Sequence, residues 1–218
     1  MKRQFFTLLA GLLCLSGSVA QAAKVDTLSV RSNAMNKNVT VLTVRPDKAV
    51  GGEKCPVIYL LHGHGGNAFT WMTIKPDLPQ IADREGIIFV CPDGKNSWYW
   101  DSPKNKDYRY ETFVSSEMIN YIDKHYKTIA DRRGRAITGL SMGGHGALWN
   151  AIRHKDVFGA AGSTSGGVDI RPFPKNWLMS EQLGTIEENR QVWDDHTVIN
   201  QVDKLQNGDL ALIVDCGE

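Results

Sequence analysis

Ser141 lies in the stretch Gly139-Leu140-Ser141-Met142-Gly143, which has the form G-x-S-x-G. A serine held on a sharp turn between a strand and a helix exposes its hydroxyl as a nucleophile, and glycines at 139 and 143 permit the tight packing that such a turn requires. The pattern therefore predicts that Ser141 attacks a carbonyl carbon. Because the pattern is short, a glycine-rich turn without catalysis is the alternative.

A second glycine-rich stretch, HGHGGN at residues 62–67, follows an apolar run. Glycines let backbone N–H groups approach a developing negative charge closely. We expect the N–H groups of His64 and Met142 to form an oxyanion hole with two donors. The alternation of His62 and His64 is also compatible with a metal site, but no cluster of further Cys, His or carboxylate ligands accompanies it. We therefore expect no metal and no cofactor.

Three consecutive aromatic residues, Trp98, Tyr99 and Trp100, lie in the third stretch of interest, PDGKNSWYWDS at residues 92–102. So many aromatic side chains directly after an apolar run predict the wall of a pocket for an acyl chain, an aromatic acid or a sugar ring. The alternative is that these side chains pack against a neighbouring helix.

A serine nucleophile needs an imidazole that accepts its proton and a carboxylate that orients the imidazole. The histidines that follow Ser141 are His145, His154 and His196. We expect His145, one turn along the predicted helix, to pack beneath the site. His154 lies at the end of that helix, where a cation is favourable. Neither position returns an imidazole to the serine from a separate segment.

His196 and Asp215 are the remaining candidates for the base and the acid. His196, in VWDDHTVIN, is far enough along the chain to return to the site, although this segment is typical of a helix start with Asp194 or Asp195 as its N-cap. Asp215 ends an apolar run and would lie at the correct edge of a sheet.

Short apolar runs predict the strands that position these residues. Runs rich in Val and Ile and closed by Gly or Asp suit strands that are buried on both faces of a parallel sheet. Five runs have this character: PVIYLLHG, GIIFVCPDG, RAITGLS, GAAGSTSG and LALIVDCG. The alternating run NVTVLTVRP, with Val39 and Val41, predicts an earlier strand that Pro46 ends.

Helices are predicted between these strands. ETFVSSEMINYIDKHY places Phe113, Met118 and Ile122 at roughly helical spacing, and MGGHGALWNAIRH follows the serine directly. Strands that alternate with helices predict a doubly wound α/β fold, in which sites form outside the carboxyl ends of the strands. All three chemistry-bearing stretches follow predicted strands.

Composition and the N-terminal residues narrow the class of protein. The chain has 218 residues, 25 basic against 24 acidic side chains and 42% hydrophobic residues, and its basic residues are scattered, so we expect no nucleic-acid partner. Residues 1–22 combine a basic start, an apolar run and small residues, which predicts a cleaved signal peptide and no membrane span afterwards. We therefore expect a secreted or periplasmic protein; an amphipathic first helix is the alternative.

Cys55, Cys91 and Cys216 would remain after cleavage. In an oxidising compartment three cysteines leave at least one thiol unpaired. Buried free thiols and one disulfide are both compatible with the sequence.

The stretches HGHGGN, PDGKNSWYWDSP, YETFVSSEMINYID and ITGLSMGGHGAL, in this order, resemble the esterase D-like branch of the α/β-hydrolases. That branch includes feruloyl and acetyl esterases, short-chain carboxylesterases, S-formylglutathione hydrolase and mycolyltransferases. The resemblance implies a single α/β-hydrolase domain over residues 23–218 with a mostly parallel, doubly wound sheet. It also implies Ser141 as the nucleophile, His64 and Met142 as backbone oxyanion donors, and the aromatic loop as a wall of the site.

The resemblance breaks after LALIVDCG. In that family the acid follows a strand similar to this one, and the histidine comes later. By this comparison the acid, the base, the last strand or strands and a helix lie beyond Glu218, so we expect a shortened form of a longer esterase.

The resemblance implies a secreted serine carboxylesterase that acts on short-chain or aromatic acyl esters, including esters carried by plant polysaccharides. Its partner would be a small-molecule or carbohydrate ester. Two alternatives stay open: a catalytically impaired fragment or non-catalytic protein that binds esters or glycans, and an acyltransferase.

Overall fold

One seven-stranded sheet forms the centre of the molecule, for which a computed structural model describes residues 23–217. The signal peptide predicted for residues 1–22 lies outside the described residues. The strands are β1 (Lys24–Ser32), β2 (Lys37–Arg45), β3 (Val57–Leu61), β4 (Ile88–Pro92), β5 (Arg135–Leu140), β6 (Ala160–Thr164) and β7 (Ala211–Asp215). Their order is β1-β2-β4-β3-β5-β6-β7, and β3 to β7 run parallel while β1 and β2 are antiparallel to their neighbours. The sheet is therefore mostly parallel, as the sequence predicts.

Helices connect the strands and cover the sheet. They are α1 (Asp47–Val50), α2 (Thr70–Ile74), α3 (Leu78–Glu85), α4 (Tyr110–Thr112), α5 (Met118–His125), α6 (Met142–Arg153), α7 (Met179–Leu183) and α8 (Arg190–Asp195), with 3₁₀ turns at Arg132–Gly134 and Val198–Lys204. A π-helical turn at Phe113–Glu117 joins α4 to α5, so the helix predicted from ETFVSSEMINYIDKHY contains one widened turn. Among the described residues no helix has the length and hydropathy needed to cross a membrane.

Alternation of side chains along the central strands creates a core on each face of the sheet. Tyr59 and Leu61 of β3 belong to the larger core, which contains Trp149 of α6, whereas Leu60 belongs to the smaller core together with Leu78 of α3. Successive side chains of a strand point to opposite faces, so helices on both sides are needed to bury β3.

The strand β7 departs from the prediction that all the parallel strands are buried on both faces. All five of its residues are exposed, and Ile213 and Val214 are 76% and 63% exposed. β7 pairs only with β6 among the described strands, and no helix in residues 23–217 covers it. Its apolar character therefore agrees with the predicted strand, but the predicted burial is wrong.

The parallel strands β3, β4, β5 and β6 end at one edge of the sheet. The loops that follow them contain residues 62–66, residues 93–101, Ser141 and residues 165–178. Because the carboxyl ends of parallel strands meet at one edge, these segments are brought together there.

The three described cysteines form no disulfide bond. Cys55 and Cys91 are buried free thiols, and Cys216 is an exposed free thiol. The sequence leaves free thiols and one disulfide open for these three residues, and in the structure all three are free thiols.

Candidate active site

Ser141 alone makes the turn between β5 and α6. β5 ends at Leu140 and α6 begins at Met142, and Ser141 between them has φ 55° and ψ −116°. This backbone conformation is strained for a residue with a side chain, and such strain persists where the surrounding structure holds it. The turn leaves Ser141 exposed at the edge of the sheet.

Two glycines make this turn sterically feasible. A Cβ at Gly139 would lie 2.3 Å from the carbonyl carbon of Gly143, and a Cβ at Gly143 would lie 2.2 Å from the carbonyl oxygen of Leu61. Both distances are far below van der Waals contact, so a side chain at either position would displace backbone. The packing that the G-x-S-x-G pattern predicts is therefore present.

Ser141 faces a cavity of about 110 Å³, which we call the Ser141 cavity. Its backbone is held on both sides, because the Ser141 N–H donates to the Thr164 carbonyl at 2.9 Å and the Ser141 carbonyl accepts from the His145 N–H at 3.0 Å. The cavity is lined by His64, Trp98, Ser141, Ser165, Gly167, Asp169, Ile170, Phe173, Trp177 and Met179. A nucleophile beside a mostly apolar cavity is the arrangement that a small ester requires.

The His62 ring braces the loop that follows β3. Its Nε2 accepts from the Gly94 N–H at 2.9 Å, so we assign the proton to Nδ1, which donates to the Gly63 carbonyl at 2.7 Å. Burial lowers the pKa of His62 and so favours this neutral form. With both ring nitrogens engaged, His62 holds the loop in place and has no free lone pair for a metal.

Further bonds fix the same loop against the loop after β4. Gly65 has φ +78°, and its N–H donates to Oδ1 of Asn96 at 2.8 Å. The hydroxyl of Tyr99 donates to the His62 carbonyl at 3.1 Å. These bonds hold the loop on both sides of His64.

The two backbone amides predicted to bind an oxyanion have no hydrogen-bond acceptor among the described residues. Neither the N–H of His64 nor that of Met142 donates a hydrogen bond to another residue within 23–217. Met142 is the first residue of α6, whose N-terminus attracts negative charge. The two segments also touch, because a Cβ at Gly63 would lie 3.6 Å from Cβ of Ser141.

Only one of the three predicted wall aromatics lines the cavity. Trp98 does so, and its indole N–H donates to the Trp177 carbonyl at 3.2 Å. Tyr99 and Trp100 are fully buried beneath it, since the Tyr99 ring packs on Gly146 and the Trp100 indole N–H donates to Nε2 of His145 at 2.8 Å. The structure thus places Tyr99 and Trp100 in the alternative role, as packing residues.

A further part of the wall, which the sequence did not predict, comes from the segment after β6. Ile170, Phe173 and Trp177 contribute apolar surface, and Phe173 and Trp177 remain 47% and 45% exposed. The sequence feature that indicates this wall is the same as for the loop after β4, namely aromatic residues in a segment that follows a predicted strand.

His145 packs beneath the site, where the sequence predicted it. Its Nε2 accepts from the Trp100 indole, and its Nδ1 donates to the Gly167 carbonyl at 2.8 Å. Burial lowers the pKa of His145 to about 4, so the ring is neutral near pH 7. Because both nitrogens are used, this ring supports the turn and the cavity wall and cannot accept a proton from Ser141.

His154 lies at the end of α6 and bonds to Glu111, away from Ser141. Oε1 of Glu111 accepts from His154 at 2.9 Å and from Arg153 at 2.7 Å, and Oε2 accepts from the Trp149 indole at 2.9 Å. Burial alone would raise the pKa of Glu111, but these hydrogen bonds and the charge of Arg153 outweigh it and hold that pKa at about 2. The cluster lines a second cavity of about 730 Å³.

His196 is not brought to Ser141. Its ring stacks on Trp149 at a centroid distance of 5.4 Å, its Nδ1 bonds the Val192 carbonyl at 2.7 Å, and it lines the second cavity. Burial lowers its pKa.

The helix start predicted for this segment is wrong, because Asp194 and Asp195 end α8 and His196 caps its C-terminus. Thr197, not an aspartate, precedes the 3₁₀ turn that follows.

Asp215 ends β7 at the same edge of the sheet as Ser141. Its register partner is Thr164, and its carbonyl accepts from the Ser165 N–H at 2.7 Å. The Asp215 side chain borders an apolar groove beside β6 and does not line the Ser141 cavity. The structure therefore does not bring Asp215 and His196 together as an acid and base.

Comparison with known proteins gives a consistent set of similarities. The family model described as "Putative esterase" matches residues 32–218. The "Acetyl esterase" of Caldicellulosiruptor saccharolyticus is 32% identical over 135 residues, which are 58% of this chain and 50% of that protein. The "Diacylglycerol acyltransferase/mycolyltransferase Ag85A" of Mycobacterium leprae is 33% identical over 192 residues, 81% of this chain and 55% of that protein. The chain thus spans about half the length of these two relatives.

A solved structure extends the similarity to the fold. A "ferulic acid esterase" superposes with a TM-score of 0.72 at 30% identity, covering 90% of this chain and 79% of that chain. The predicted α/β-hydrolase fold is confirmed by this similarity.

Proposed function

This chain belongs to the Esterase family, and we propose that it is a carboxylic ester hydrolase with Ser141 as its nucleophile. The observation that carries the proposal is the strained, exposed Ser141 at the mouth of a cavity, beside unoccupied backbone amides. Strain of this kind is costly for folding and recurs where function requires it.

The proposed chemistry is acyl transfer through a covalent intermediate. Ser141 Oγ attacks the ester carbonyl, and the N–H groups of His64 and Met142 bind the resulting oxyanion. Such donors contribute because they are fixed before the charge develops, and each is worth on the order of 10²-fold or more in turnover. Expulsion of the alcohol leaves an ester on Ser141, which water then hydrolyses.

The proton acceptor is the open part of this proposal. His145 has both nitrogens engaged, and His154 and His196 line the second cavity. A serine without an imidazole partner reacts slowly, although binding and oxyanion stabilisation alone leave some catalysis over water. We therefore expect a polypeptide of these 218 residues to hydrolyse activated esters slowly and unactivated esters hardly at all.

We propose short-chain or aromatic acyl esters, including carbohydrate esters, as the substrate class. The aromatic and apolar walls supplied by Trp98, Phe173 and Trp177 support this, as do similarities to proteins named acetyl esterase and ferulic acid esterase. A secreted or periplasmic location, with cleavage after the proposed signal at residues 1–22, belongs to the same proposal.

Hydrolysis of 4-nitrophenyl acetate by the purified chain and by Ser141→Ala tests the proposal. We expect the variant to lose hydrolysis above the buffer rate, and the exposed Ser116→Ala variant to retain it. Unchanged hydrolysis in Ser141→Ala would reject the nucleophile.

Two alternatives have specific support. Similarity to a protein named acyltransferase favours transfer to an alcohol, which product analysis with an added alcohol acceptor would detect. The absence of an available imidazole beside Ser141 among the described residues favours a protein that binds esters without hydrolysing them. Ester binding with no Ser141-dependent turnover would support that second alternative.

A further inference from the structure

The imidazole of His64 has no role in the chemistry described so far, which uses only its backbone N–H. Nε2 of His64 is buried, and no hydrogen-bond partner for it exists among the described residues. A buried polar atom without a partner is unfavourable, so native proteins rarely leave one unless a ligand or water completes it. His64 also lines the Ser141 cavity, where a substrate would lie.

Two other polar side chains that line this cavity, Asp169 and Trp98, are already engaged. The carboxylate of Asp169 accepts bonds from Arg171 at 2.8 Å and 2.7 Å, and the indole N–H of Trp98 donates to the Trp177 carbonyl. Among the described side chains that line the cavity, Nε2 of His64 is the buried polar atom that lacks a partner. The remaining walls are largely apolar, so one hydrogen bond would distinguish one ligand from another there.

We propose that the His64 imidazole contacts the substrate and selects esters with a hydroxyl group near the scissile carbonyl. A hydroxyl both donates and accepts, so it satisfies Nε2 in either tautomer of the ring. The hydroxyl must lie within a few bonds of the ester, because the N–H of the same residue is proposed to bind the carbonyl oxygen. This placement of the hydroxyl rests on the proposed function, in which the His64 N–H binds the oxyanion. The hydroxyl belongs either to the acyl group or to the alcohol.

Equilibrium binding to a Ser141→Ala chain separates these sources without turnover. Each ester pair exchanges a hydroxyl for a methyl group: methyl lactate against methyl isobutanoate for the acyl side, and 2-hydroxyethyl acetate against propyl acetate for the alcohol side. Fluorescence reports binding, because Trp98 and Trp177 line the cavity. We expect the hydroxyl ester of one pair to bind about ten-fold more tightly, which is the size of one net hydrogen bond.

The same titrations in variants decide whether His64 causes the preference. In Ser141→Ala/His64→Phe the ratio should fall to about one, and in Ser141→Ala/His64→Gln part of it should return. Ser141→Ala/His125→Phe, which changes an exposed histidine on α5, should keep the full ratio. If His64→Phe unfolds the chain, His64→Leu replaces it.

Preference in the acyl pair or in the alcohol pair identifies the source of the hydroxyl. Preference in neither pair, no binding of any of the four esters, or a preference that survives loss of the imidazole would overturn the inference. Each of these failures is distinguishable from a failure of the proposed function, which is shown by hydrolysis that persists in Ser141→Ala.

Discussion

Backbone conformation, more than side-chain identity, distinguishes the residues of the candidate site. Ser141 has a positive φ without being glycine, and Gly65 has φ +78° at the centre of the loop opposite. Both conformations are held by neighbours: the Ser141 N–H bonds Thr164, and the Gly65 N–H bonds Asn96. These two positions therefore present the amides and the hydroxyl in fixed directions.

Gly65→Val should reduce Ser141-dependent hydrolysis of 4-nitrophenyl acetate on the order of 10²-fold, comparable to the loss of one oxyanion donor. A β-branched residue is strained at φ +78°, so the loop would shift and move the His64 amide. Gly208→Val is the matched control, because Gly208 has φ +87° with nothing near its Cβ position and does not line the Ser141 cavity. Equal turnover in the two variants would show that HGHGG is only a structural turn.

Glu111 should make the stability of the fold depend on acid pH. Its pKa is about 2 in the folded chain against an ordinary 4.5, so its contribution is complete above about pH 4.5 and is lost as the pH falls towards 2. The shift corresponds to about 3 kcal/mol of unfolding free energy.

Urea unfolding measured across this pH range should therefore show a shallower pH dependence in Glu111→Gln than in the unmodified chain. The exposed Glu187→Gln variant should match the unmodified chain. A Glu111→Gln chain with the same pH dependence would contradict the assignment of these hydrogen bonds.

At the scale of elements, the loops after β3 and β4 act as one unit. The Asn96 side chain accepts from Gly65, and the Gly94 N–H donates to His62. The loop after β4 therefore sets the position of the loop that carries the oxyanion amide.

Asn96→Ala should lower the kcat for 4-nitrophenyl acetate about 5- to 10-fold with little change in KM, because the loss of one bond loosens the donor and leaves the cavity intact. Asn96→Asp keeps an acceptor and should retain most of the turnover. Asn105→Ala removes a similar side-chain bond, to the Asp107 N–H, in a segment that does not line the cavity. Equal kcat values in Asn96→Ala and Asn105→Ala would refute the coupling of the two loops.

β7 is the element whose surroundings the sequence did not predict. Its apolar run predicts the strand, but a run of Val, Ile and Leu carries no information about whether another element covers it. Burial depends on tertiary neighbours, and β7 has one paired edge and exposed faces among the described residues.

Ile213→Lys should reduce self-association of the 218-residue polypeptide, because an exposed apolar edge strand offers unpaired backbone groups to a second copy and a lysine blocks that pairing. Size-exclusion chromatography with light scattering measures the effect. Ile199→Lys, which changes an apolar residue of 51% exposure outside the sheet, serves as the control. If both variants weaken self-association equally, β7 is not the surface through which the copies associate.

At the scale of the whole molecule, local patterns predicted the strands and the glycine turns because each depends on residues close in the chain. Trp100 shows the limit: its loop position suggested a pocket wall, yet its partner is His145, 45 residues away. Phe173 and Trp177 follow a predicted strand as Trp98 does, but which of these loops borders Ser141 depends on the order of the strands in the folded sheet.

Cavity size alone would have selected a different site. The second cavity is larger, at about 730 Å³ against about 110 Å³, but the buried carboxylate among its lining residues, Glu111, is satisfied by His154, Arg153 and Trp149. The Ser141 cavity instead combines a strained residue with two amides and a ring nitrogen that have no hydrogen-bond partner in the described part of the chain. Unsatisfied groups are costly unless a ligand completes them, which favours the smaller cavity as the site.

Covalent labelling by a fluorophosphonate tests the central claim, that Ser141 is a nucleophile, most directly. A nucleophilic serine attacks the phosphorus and expels fluoride, so mass spectrometry of the digested chain locates the new bond without requiring turnover. Because no imidazole among residues 23–217 is available to accept the Ser141 proton, we expect the label to accumulate slowly: one phosphonyl group on the peptide that contains Ser141, and none on the folded Ser141→Ala chain. Label on a different residue, or ester hydrolysis that proceeds while Ser141 stays unmodified, would contradict the account.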